Sequence, residues 1–510
     1  MDAFAARSSW ASLSPEIHML ILQCIIPKYG SIETRTDRGF GKASSLATVS
    51  REWQSFFEKE TFRRMALVSS DLPAFAKAVR GKNAIRLNYI NRLWLHIELA
   101  EYTRRIYSKP ESATNIAQNN RTFTYAMAAL LNALSSWDGI RGGLRLEINA
   151  HSPSDQKYHP LEFAIHDDYP FKFEEDLERY PSFSEYRRQG RLDCRVAGIT
   201  RHHIVAKHGM MRRLRGTPLE LQPWLFQRHQ GCGNSIRNLP QVPIVKGLLL
   251  RQEFFRGIAP TSLARLLRDS FVALESFRYE RWMARRKTDE HAFFNDLHTH
   301  LIPALPASVE GFFLSQQQRW DIKGPWPKQK LINQISWFLG TICHRFVEFC
   351  PPIEFAAKLF LRQIVLGGTR EGSKLKHLSL RADQIQASSP QSAVTYFLSL
   401  AARAAKHLPR LRVLELWNCG HGFGYIFRYT QDDSRATITW RPLGTDFALE
   451  PKVLKTWAKV ASDRVFSVER IPFTEADVGD PNFMHASIIP HLALRRLAFD
   501  PITEARIVSE

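Results

Sequence analysis

Few side chains in this sequence have the type and spacing that chemistry would need. His298-Thr299-His300 could place two imidazoles on one strand as metal ligands. A zinc site takes three or four protein ligands, however, and no further His or carboxylate follows at a suitable spacing. A surface or packed histidine pair is therefore expected. The six cysteines include no Cys-x-x-Cys pair, which indicates reduced thiols of an intracellular protein.

Two glycine-rich stretches have the composition of phosphate-binding loops but not the required order. In residues 367–374 the Ser precedes the Lys, and a strand is expected afterwards, where a phosphate loop would continue into a helix. Residues 420–424 follow a strand, but the next residues predict a β-hairpin and not the helix N-terminus that would hold a phosphate. The sequence also contains no Gly-x-Ser-x-Gly and no His-Glu-x-x-His motif. We therefore expect a protein that is not an enzyme and that holds no metal or cofactor.

The N-terminal residues have a pattern that is typical of a binding surface. Residues 13–17 predict the start of a short helix, because Pro15 suits a first helical turn and Ser14 or Ser12 can cap it. The large apolar residues form two stripes at helical spacing, which are Ile17, Leu20, Ile21 and Cys24, and then Val49, Trp53 and Phe56 or Phe57. So small a helical unit cannot bury all of them, and uncovered apolar surface usually marks a binding face. The stripes could equally pack onto the rest of the protein.

This segment resembles the F-box, a small helical module. The family pattern is Leu-Pro-Pro-Glu-Leu, then an Ile-Leu pair four residues later, and Val-Ser-Arg-x-Trp in the second half. The matching residues in this sequence are Leu13, Pro15, Glu16, Ile17, Ile21, Leu22, Val49, Ser50, Arg51 and Trp53. Ser14 stands where the family has its first proline, and the joint at residues 27–42 is longer and more polar than usual. A longer loop costs little once its ends are held.

The resemblance implies a set of partners. F-box modules dock a Skp-type adaptor and through it a cullin–RING ubiquitin ligase, so this chain would be the substrate receptor of that ligase. The rate gain would come from proximity, and the receptor would need no acid or base of its own. The adaptor-binding residues that the resemblance implies are Leu13, Pro15, Glu16, Ile17, Leu20, Ile21, Ile25, Val49 and Trp53. Trp53 is the expected hot spot by residue type.

Length and composition place this module in a larger globular protein. A chain of 510 residues is too long for one ordinary core, and 44% hydrophobic with 11% aromatic residues excludes a disordered chain. The longest apolar run, near residues 126–134, is far shorter than a membrane span, and the N-terminus lacks a signal pattern. We therefore expect a protein of the cytoplasm or nucleus that has no membrane partner.

The net charge of +20 suggests nucleic-acid binding, but the basic residues are spread through apparent secondary structure, so a nucleic-acid partner is not expected. The densest clusters are residues 210–215 and 281–287. They could be nuclear-import signals, an anion-binding face for an acidic or phosphorylated target, or simply solvated faces of helices. The target-binding residues proposed on this basis are Arg212, Arg213, Arg215, Arg285 and Arg286.

After residue 60 the sequence alternates short apolar strands with helices. The predicted strands are residues 92–99, 144–148, 246–250, 274–279, 309–314, 375–380, 411–416 and 494–499, and the predicted helices are 262–270, 331–349 and 393–408. The strand starts at Leu274, Val309, Leu375 and Leu411 are separated by 35, 66 and 36 residues, so the middle gap is close to two periods. Leu-x-x-Leu-x-Leu spacing is typical of leucine-rich-repeat strands, although this period exceeds the usual repeat of about 20–29 residues.

The predicted fold class is α/β. A small all-α F-box at residues 8–65 would be followed, at residues 66–510, by an irregular strand–helix solenoid resembling leucine-rich repeats. Insertions are expected near 151–190, as a surface loop, and near 420–441, as a β-hairpin. The C-terminal region also resembles the region after the F-box in a group of fungal F-box proteins, which has no assigned chemistry. That second resemblance rests on residues 92–95, 101–102, 408–418, 420–424 and 438–441.

The solenoid would present its target on the concave face or on the insertion loops. Two other functions stay open on the sequence. The chain could be a solenoid protein-binding scaffold whose N-terminal helices only cap the array, or, with less support, a basic nucleic-acid-binding protein. Exposure of Ile17 and Trp53 would favour adaptor docking, whereas their burial against the solenoid would favour capping.

Overall fold

A computed structural model describes most of the chain. The described residues are 10, 13–25, 45–107, 109–137, 143–158, 171–179, 185, 213–222, 239–284, 286–317, 329–352, 355–386, 388–420, 422–443, 448–474, 477 and 485–509. They form a mixed α/β fold around one sheet of 12 strands, which lie side by side in the order in which they occur along the chain.

The strands are β1 Arg64–Val68, β2 Arg92–Glu98, β3 Leu144–His151, β4 Val245–Leu250, β5 Ser276–Trp282, β6 Gly311–Gln317, β7 Glu348–Cys350, β8 His377–Arg381, β9 Val413–Gly420, β10 Phe423–Gln431, β11 Arg435–Pro442 and β12 Val465–Arg470. Neighbours from β1 to β9 are parallel, and so are β11 and β12. The pairs β9–β10 and β10–β11 are antiparallel. Parallel neighbours need a crossover connection, which explains why helices separate most of these strands.

The helices are α1 Pro15–Ile25, α2 Arg51–Arg63, α3 Leu72–Ala78, α4 Ala113–Leu134, α5 Pro153–Tyr158, α6 Asp176–Arg179, α7 Pro260–Asp269, α8 Lys287–Asp296, α9 Gln329–Ile342, α10 Ala357–Gly367, α11 Gln391–Lys406, α12 Pro451–Ala461, α13 His485–Ile488, α14 Arg495–Ala498 and α15 Pro501–Val508. Shorter 3-10 turns include Gly81–Tyr89 and Cys343–Arg345, and a π-helical turn follows α8 at Leu297–Leu301.

The two faces of the sheet differ in polarity because strand residues point alternately to opposite sides. In β3 the side chains of Leu144, Leu146 and Ile148 are buried in the main core together with the crossover helices. Arg145 and Glu147 lie on the opposite face. We call these the helix face and the polar face of the sheet.

Most of the predicted strands are confirmed, because alternating leucines mark the helix face directly. The gap of nearly two periods between 309 and 375 contains β7. The predicted helix 331–349 is wrong beyond Ile342, where a 3-10 turn leads into β7. The short β7 continues the apolar run of the helix, so periodicity alone did not separate the two elements.

The predicted last strand, residues 494–499, is also wrong, because these residues contain the short helix α14. Leu494, Leu497 and Ala498 are buried at helical spacing, and the N–H of Leu494 donates to Glu415 on β9 at 3.0 Å. The local sequence pattern contains no sign of this hydrogen bond to a distant strand.

The hairpin predicted near 420–441 is confirmed by the pairing of β10 with β11. In its turn, Asp432 accepts hydrogen bonds from the N–H groups of Ser434 and Arg435, both at 2.7 Å. Of the described residues in the predicted surface loop 151–190, Ser154 and Asp155 are buried where they accept hydrogen bonds from Tyr102, and Phe171 is buried against Ile502. The surface-loop prediction does not hold for these three residues.

Candidate interaction surfaces

The N-terminal helices α1 and α2 share a small apolar core of their own. Leu22 of α1 is fully buried against Phe56 and Phe57 of α2, and these three form a cluster separate from the main core. Trp10 and Trp53 pack at its border, with ring centroids 5.9 Å apart. The two helices, with the turn at 45–50, are called the N-terminal module below.

A polar contact also joins the two helices. Glu52 on α2 accepts a hydrogen bond from the Trp10 indole N–H at 3.0 Å, and its other oxygen lies 2.7 Å from Nδ1 of His18 on α1. Nε2 of His18 lies 2.6 Å from the Trp10 carbonyl oxygen, so both ring nitrogens face acceptors. The Trp10 carbonyl and Glu52 accordingly raise the pKa of His18. No pattern in the sequence indicated this contact.

The module leaves large apolar side chains open to solvent. Ile17, Met19 and Leu20 on α1 are exposed, and so is Val49 in the turn before α2. Leu20 is 59% exposed and Val49 is 60% exposed. The core of the module is formed by other residues, Leu22, Phe56 and Phe57, so only a further surface could cover these four side chains. We call these four exposed residues the apolar patch, of which Ile17 and Leu20 share one side of α1 and Met19 lies on another.

The predicted adaptor-binding residues fall into two groups by exposure. Pro15, Glu16, Ile17, Leu20 and Val49 are exposed, whereas Leu13, Ile21, Ile25 and Trp53 are half-buried. Trp53 packs on Trp10 and Phe57 within the module and belongs to the module's cluster, not to the main core.

The second helix connects the module to the sheet. α2 ends at Arg63 and β1 begins at Arg64, so the predicted boundary at residue 65 lies inside the first strand. Phe62 packs against the main core, and Glu58 pairs with Arg86 at 2.6 Å. The module is therefore held at the β1 edge of the sheet by α2.

Three of the predicted target-binding arginines lie in the described part of the chain, and each has a partner within the protein. Arg212 and Arg285 lie outside the described residues. Arg213 is only 5% exposed, donates to the Ile106 carbonyl oxygen at 2.9 Å and lies over the Tyr102 ring. Arg215 lies over the Trp282 ring with its guanidinium carbon 4.7 Å from the ring centroid. Arg286 is exposed and pairs with Asp289 at 2.8 Å.

The polar face of the sheet is partly covered by the chain itself. Residues 485–509, called the C-terminal segment, pack apolar residues such as Ile489 and Phe499 against Phe313 and Trp417 of the sheet in a second core. The carboxylate of Glu415 on β9 accepts hydrogen bonds from the N–H groups of Ala493 and Leu494, at 2.9 and 3.0 Å. The segment is therefore part of the folded structure.

Buried charges join this segment to β3, β4 and β5. Asp500 lies 2.8 Å from Nη2 of Arg145 and 3.4 Å from Nε of Arg251. These arginines, with Arg278, lower the pKa of Asp500 against the effect of its burial. Next to them, burial raises the pKa of Glu147 to about 8, although Arg251 opposes the shift.

A cavity of about 770 Å³ remains between the C-terminal segment and the amino-terminal ends of β2 to β8. Five basic side chains line it. Four come from the consecutive strands β2 to β5 and one from the C-terminal segment, and they are Arg92, Arg145, Lys246, Arg278 and Arg496. Two carboxylates, Glu275 and Glu348, and His377 line it as well. We call this space the basic trough.

The basic trough was not evident from the sequence, although a signal was present. Arg92 and Arg145 each open a strand as its first or second residue, and Lys246 does so in β4. In the register of the sheet Arg92 lies beside Arg145, and Arg145 lies beside Gly247. A basic residue at three successive strand starts becomes a cluster only after the strands are aligned.

The rejected catalytic motifs can be placed as well. His298 and His300 lie in a helical turn and not on a strand, and His298 stacks on Phe338 with ring centroids 5.0 Å apart. Residues 367–374 are followed by β8. Among the residues that the structure describes, no group of three His, Cys, Asp or Glu side chains could hold a metal ion. No helix in the described part of the chain is long and apolar enough to cross a membrane.

Comparison with known proteins gives one match. Residues 292–500 are similar to a protein family described as a family of unknown function, DUF6546. No curated protein and no solved structure matches the chain. The similar region begins inside α8 and ends at Asp500, so it includes β6 to β12 and much of the C-terminal segment but not the N-terminal module.

Proposed function

We propose that this chain is a non-catalytic substrate receptor that docks a Skp-type adaptor of a cullin–RING ubiquitin ligase through its N-terminal module. The observation that carries the proposal is the apolar patch, which stays open although the module already has a buried core. The resemblance of residues 13–53 to the F-box names the partner. The expected place of action is the cytoplasm or nucleus.

The patch has the geometry that a helix-in-groove contact uses. Ile17 and Leu20 are three residues apart and therefore share one side of α1. Half-exposed side chains of this size each contribute roughly 1 kcal/mol when a partner covers them. Four of them are too few for a micromolar complex, which needs about 8 kcal/mol. We therefore expect the half-buried Trp53 and Leu13 to take part as well.

The rest of the chain would be a platform for the target. Nine parallel strands that follow one another in chain order, with the crossover helices on one face, support the proposed strand–helix solenoid that resembles leucine-rich repeats. The C-terminal segment covers part of its polar face, so the target surface would lie beside that segment and not in the middle of the sheet.

The test is the affinity of the purified chain for a purified Skp-type adaptor, measured by calorimetry. Leu20→Asp should weaken binding on the order of 100-fold, because an unpaired carboxylate would be buried in an apolar contact at a cost of about 3 kcal/mol. Leu366→Asp is the matched control, because Leu366 is 61% exposed on the distant helix α10. It should bind like the unchanged chain.

Equal affinity of both variants would contradict the proposed docking surface. Absence of binding by the folded, unchanged chain would contradict the receptor function itself. In that case the alternative is a protein-binding scaffold without a ligase role, in which the module caps the array. The continuity of α2 with β1 and the packing of Phe62 on the main core favour that alternative.

A further inference from the structure

The basic trough differs from the other surfaces in its shape. It follows the amino-terminal ends of seven neighbouring strands, β2 to β8. Since neighbouring strands lie about 4.8 Å apart, the trough extends over about 29 Å. An extended peptide rises about 3.3 Å per residue, so about eight or nine residues would fill this length. A compact small molecule would occupy only part of it.

Glycines keep the floor of the trough open. Gly247 lies between Arg145 on β3 and Ser276 on β5 in the register of the sheet. A Cβ atom on Gly143 would lie 2.6 Å from Cγ of Lys246, and one on Gly311 would lie 2.8 Å from the Phe313 ring. Larger residues at these positions would displace side chains that line the trough.

The charges of the trough are unevenly distributed. The five basic residues lie at the β2–β5 end and on the C-terminal segment, whereas Glu348 and His377 lie at the β7–β8 end. The Nζ atom of Lys246 lies 3.0 Å from Glu275, but both side chains are substantially exposed, at 32% and 57%. Arg496 is 55% exposed and pairs with Glu174 at the rim. Exposed pairs of this kind are weak, so these cations can bind another anion at little cost.

Arg278 adds a buried cation to the same end. Its guanidinium donates to the Leu497 carbonyl oxygen at 3.2 Å, lies over the Phe313 ring and is 3.5 Å from Glu280. Burial lowers the pKa of Arg278, which means that the surroundings stabilise its charge less than water does. A ligand anion in the trough would improve that balance.

We propose that the basic trough binds an extended peptide segment of the target that presents carboxylate or phosphate groups to Lys246 and Arg496. The inference rests on the proposed receptor function, since it names the class of target. Arginine and lysine recognise both anions, arginine with two parallel hydrogen bonds. The opposite end of the trough, near Glu348, would accept a neutral or basic part of the segment.

The test uses three dye-labelled nonapeptides. The first consists of glycine and glutamate, the second has glutamine in place of every glutamate, and the third has phosphoserine in place of the central glutamate. Binding to the intact chain is followed by fluorescence anisotropy. The two acidic peptides should bind saturably and the glutamine peptide at least tenfold more weakly. Tighter binding of the phosphoserine peptide would identify phosphate as the preferred group, whereas equal binding would identify carboxylates; both results support the trough.

Two variants separate the trough from the general positive charge of the chain. Lys246→Met combined with Arg496→Met should weaken binding of the acidic peptides at least tenfold. Arg412→Met is the control, because Arg412 is 45% exposed and pairs with Asp433 outside the trough. Equal losses in trough and control variants, or no saturable binding by the folded chain, would overturn the inference.

Failure of this inference can be told apart from failure of the proposed function. The trough variants should keep the affinity of the unchanged chain for the Skp-type adaptor, and Leu20→Asp should keep the affinity for the acidic peptides. A chain that binds the adaptor but none of the peptides would retain the receptor function and lose only this assignment.

Discussion

The packing of α1 on α2 centres on one fully buried leucine, Leu22, beside the half-buried Ile25 and the His18–Glu52 contact. Removal of the Leu22 side chain should release the helix without unfolding the sheet. α1 has 11 residues, which is too short for a stable isolated helix in water. Leu22 is its fully buried residue, and it packs on Phe56 and Phe57 in a cluster separate from the main core. Replacing a buried leucine with alanine costs about 2–5 kcal/mol. That loss is comparable with the whole packing energy available to a helix attached in this way.

The assay is amide hydrogen exchange of the Leu22→Ala variant. A loss of 2 kcal/mol or more should accelerate exchange within Pro15–Ile25 by about 30-fold or more, while the amides of β8 and β9 keep their protection. Cys24→Ala is the matched control, since Cys24 is exposed on the same helix. Unchanged exchange in α1, or equal acceleration in the sheet, would refute the separate attachment of the module. Adaptor binding should weaken together with the loss of protection.

Two further predictions concern the sheet. Burial, with a contribution from His151, lowers the pKa of His96 to about 2, so between that pH and about 6.5 the unfolded chain takes up a proton that the folded chain does not. The free energy of unfolding, measured by urea titration, should therefore be about 2 kcal/mol lower at pH 5 than above about pH 6.5. In His96→Gln the free energy of unfolding should depend less on pH. An unchanged pH dependence in that variant would contradict the neutral, buried state of His96. Glu415→Gln removes the charge that pairs with Arg428 at 2.8 Å and should lower the free energy of unfolding by about 3 kcal/mol. A loss below about 1 kcal/mol would show that the C-terminal segment does not depend on this carboxylate.

The sequence predicted the elements whose pattern is local. Alternating leucines, as in Leu144, Leu146 and Ile148, mark a strand because one face must meet the helices. The turn after β10 was predictable because Asp432 bonds to the backbone of the two following residues. The position of β7 was signalled only by the double spacing between strands, since its three residues have no pattern of their own.

Features that depend on distant parts of the chain were not predictable. Residues 495–498 are helical next to Leu494, whose N–H donates to Glu415, 79 positions earlier in the chain. The basic trough requires knowledge of the register that places Arg92 beside Arg145. Charge alone placed Arg213 among the target-binding residues, but its guanidinium donates to the Ile106 carbonyl oxygen in the interior. For the module, the sequence placed Ile17 and Leu20 among the adaptor-binding residues but did not indicate the contact of His18 with Glu52.

The most direct measurement of the central claim is site-specific photo-crosslinking to a purified Skp-type adaptor. A photo-reactive amino acid is placed at Val49 of the intact chain, which is 60% exposed in the apolar patch, and separately at Leu366. Adaptor docking through the module predicts a crosslinked product from position 49 and none from position 366. No product from position 49, or equal products from both positions, would contradict the proposed docking surface.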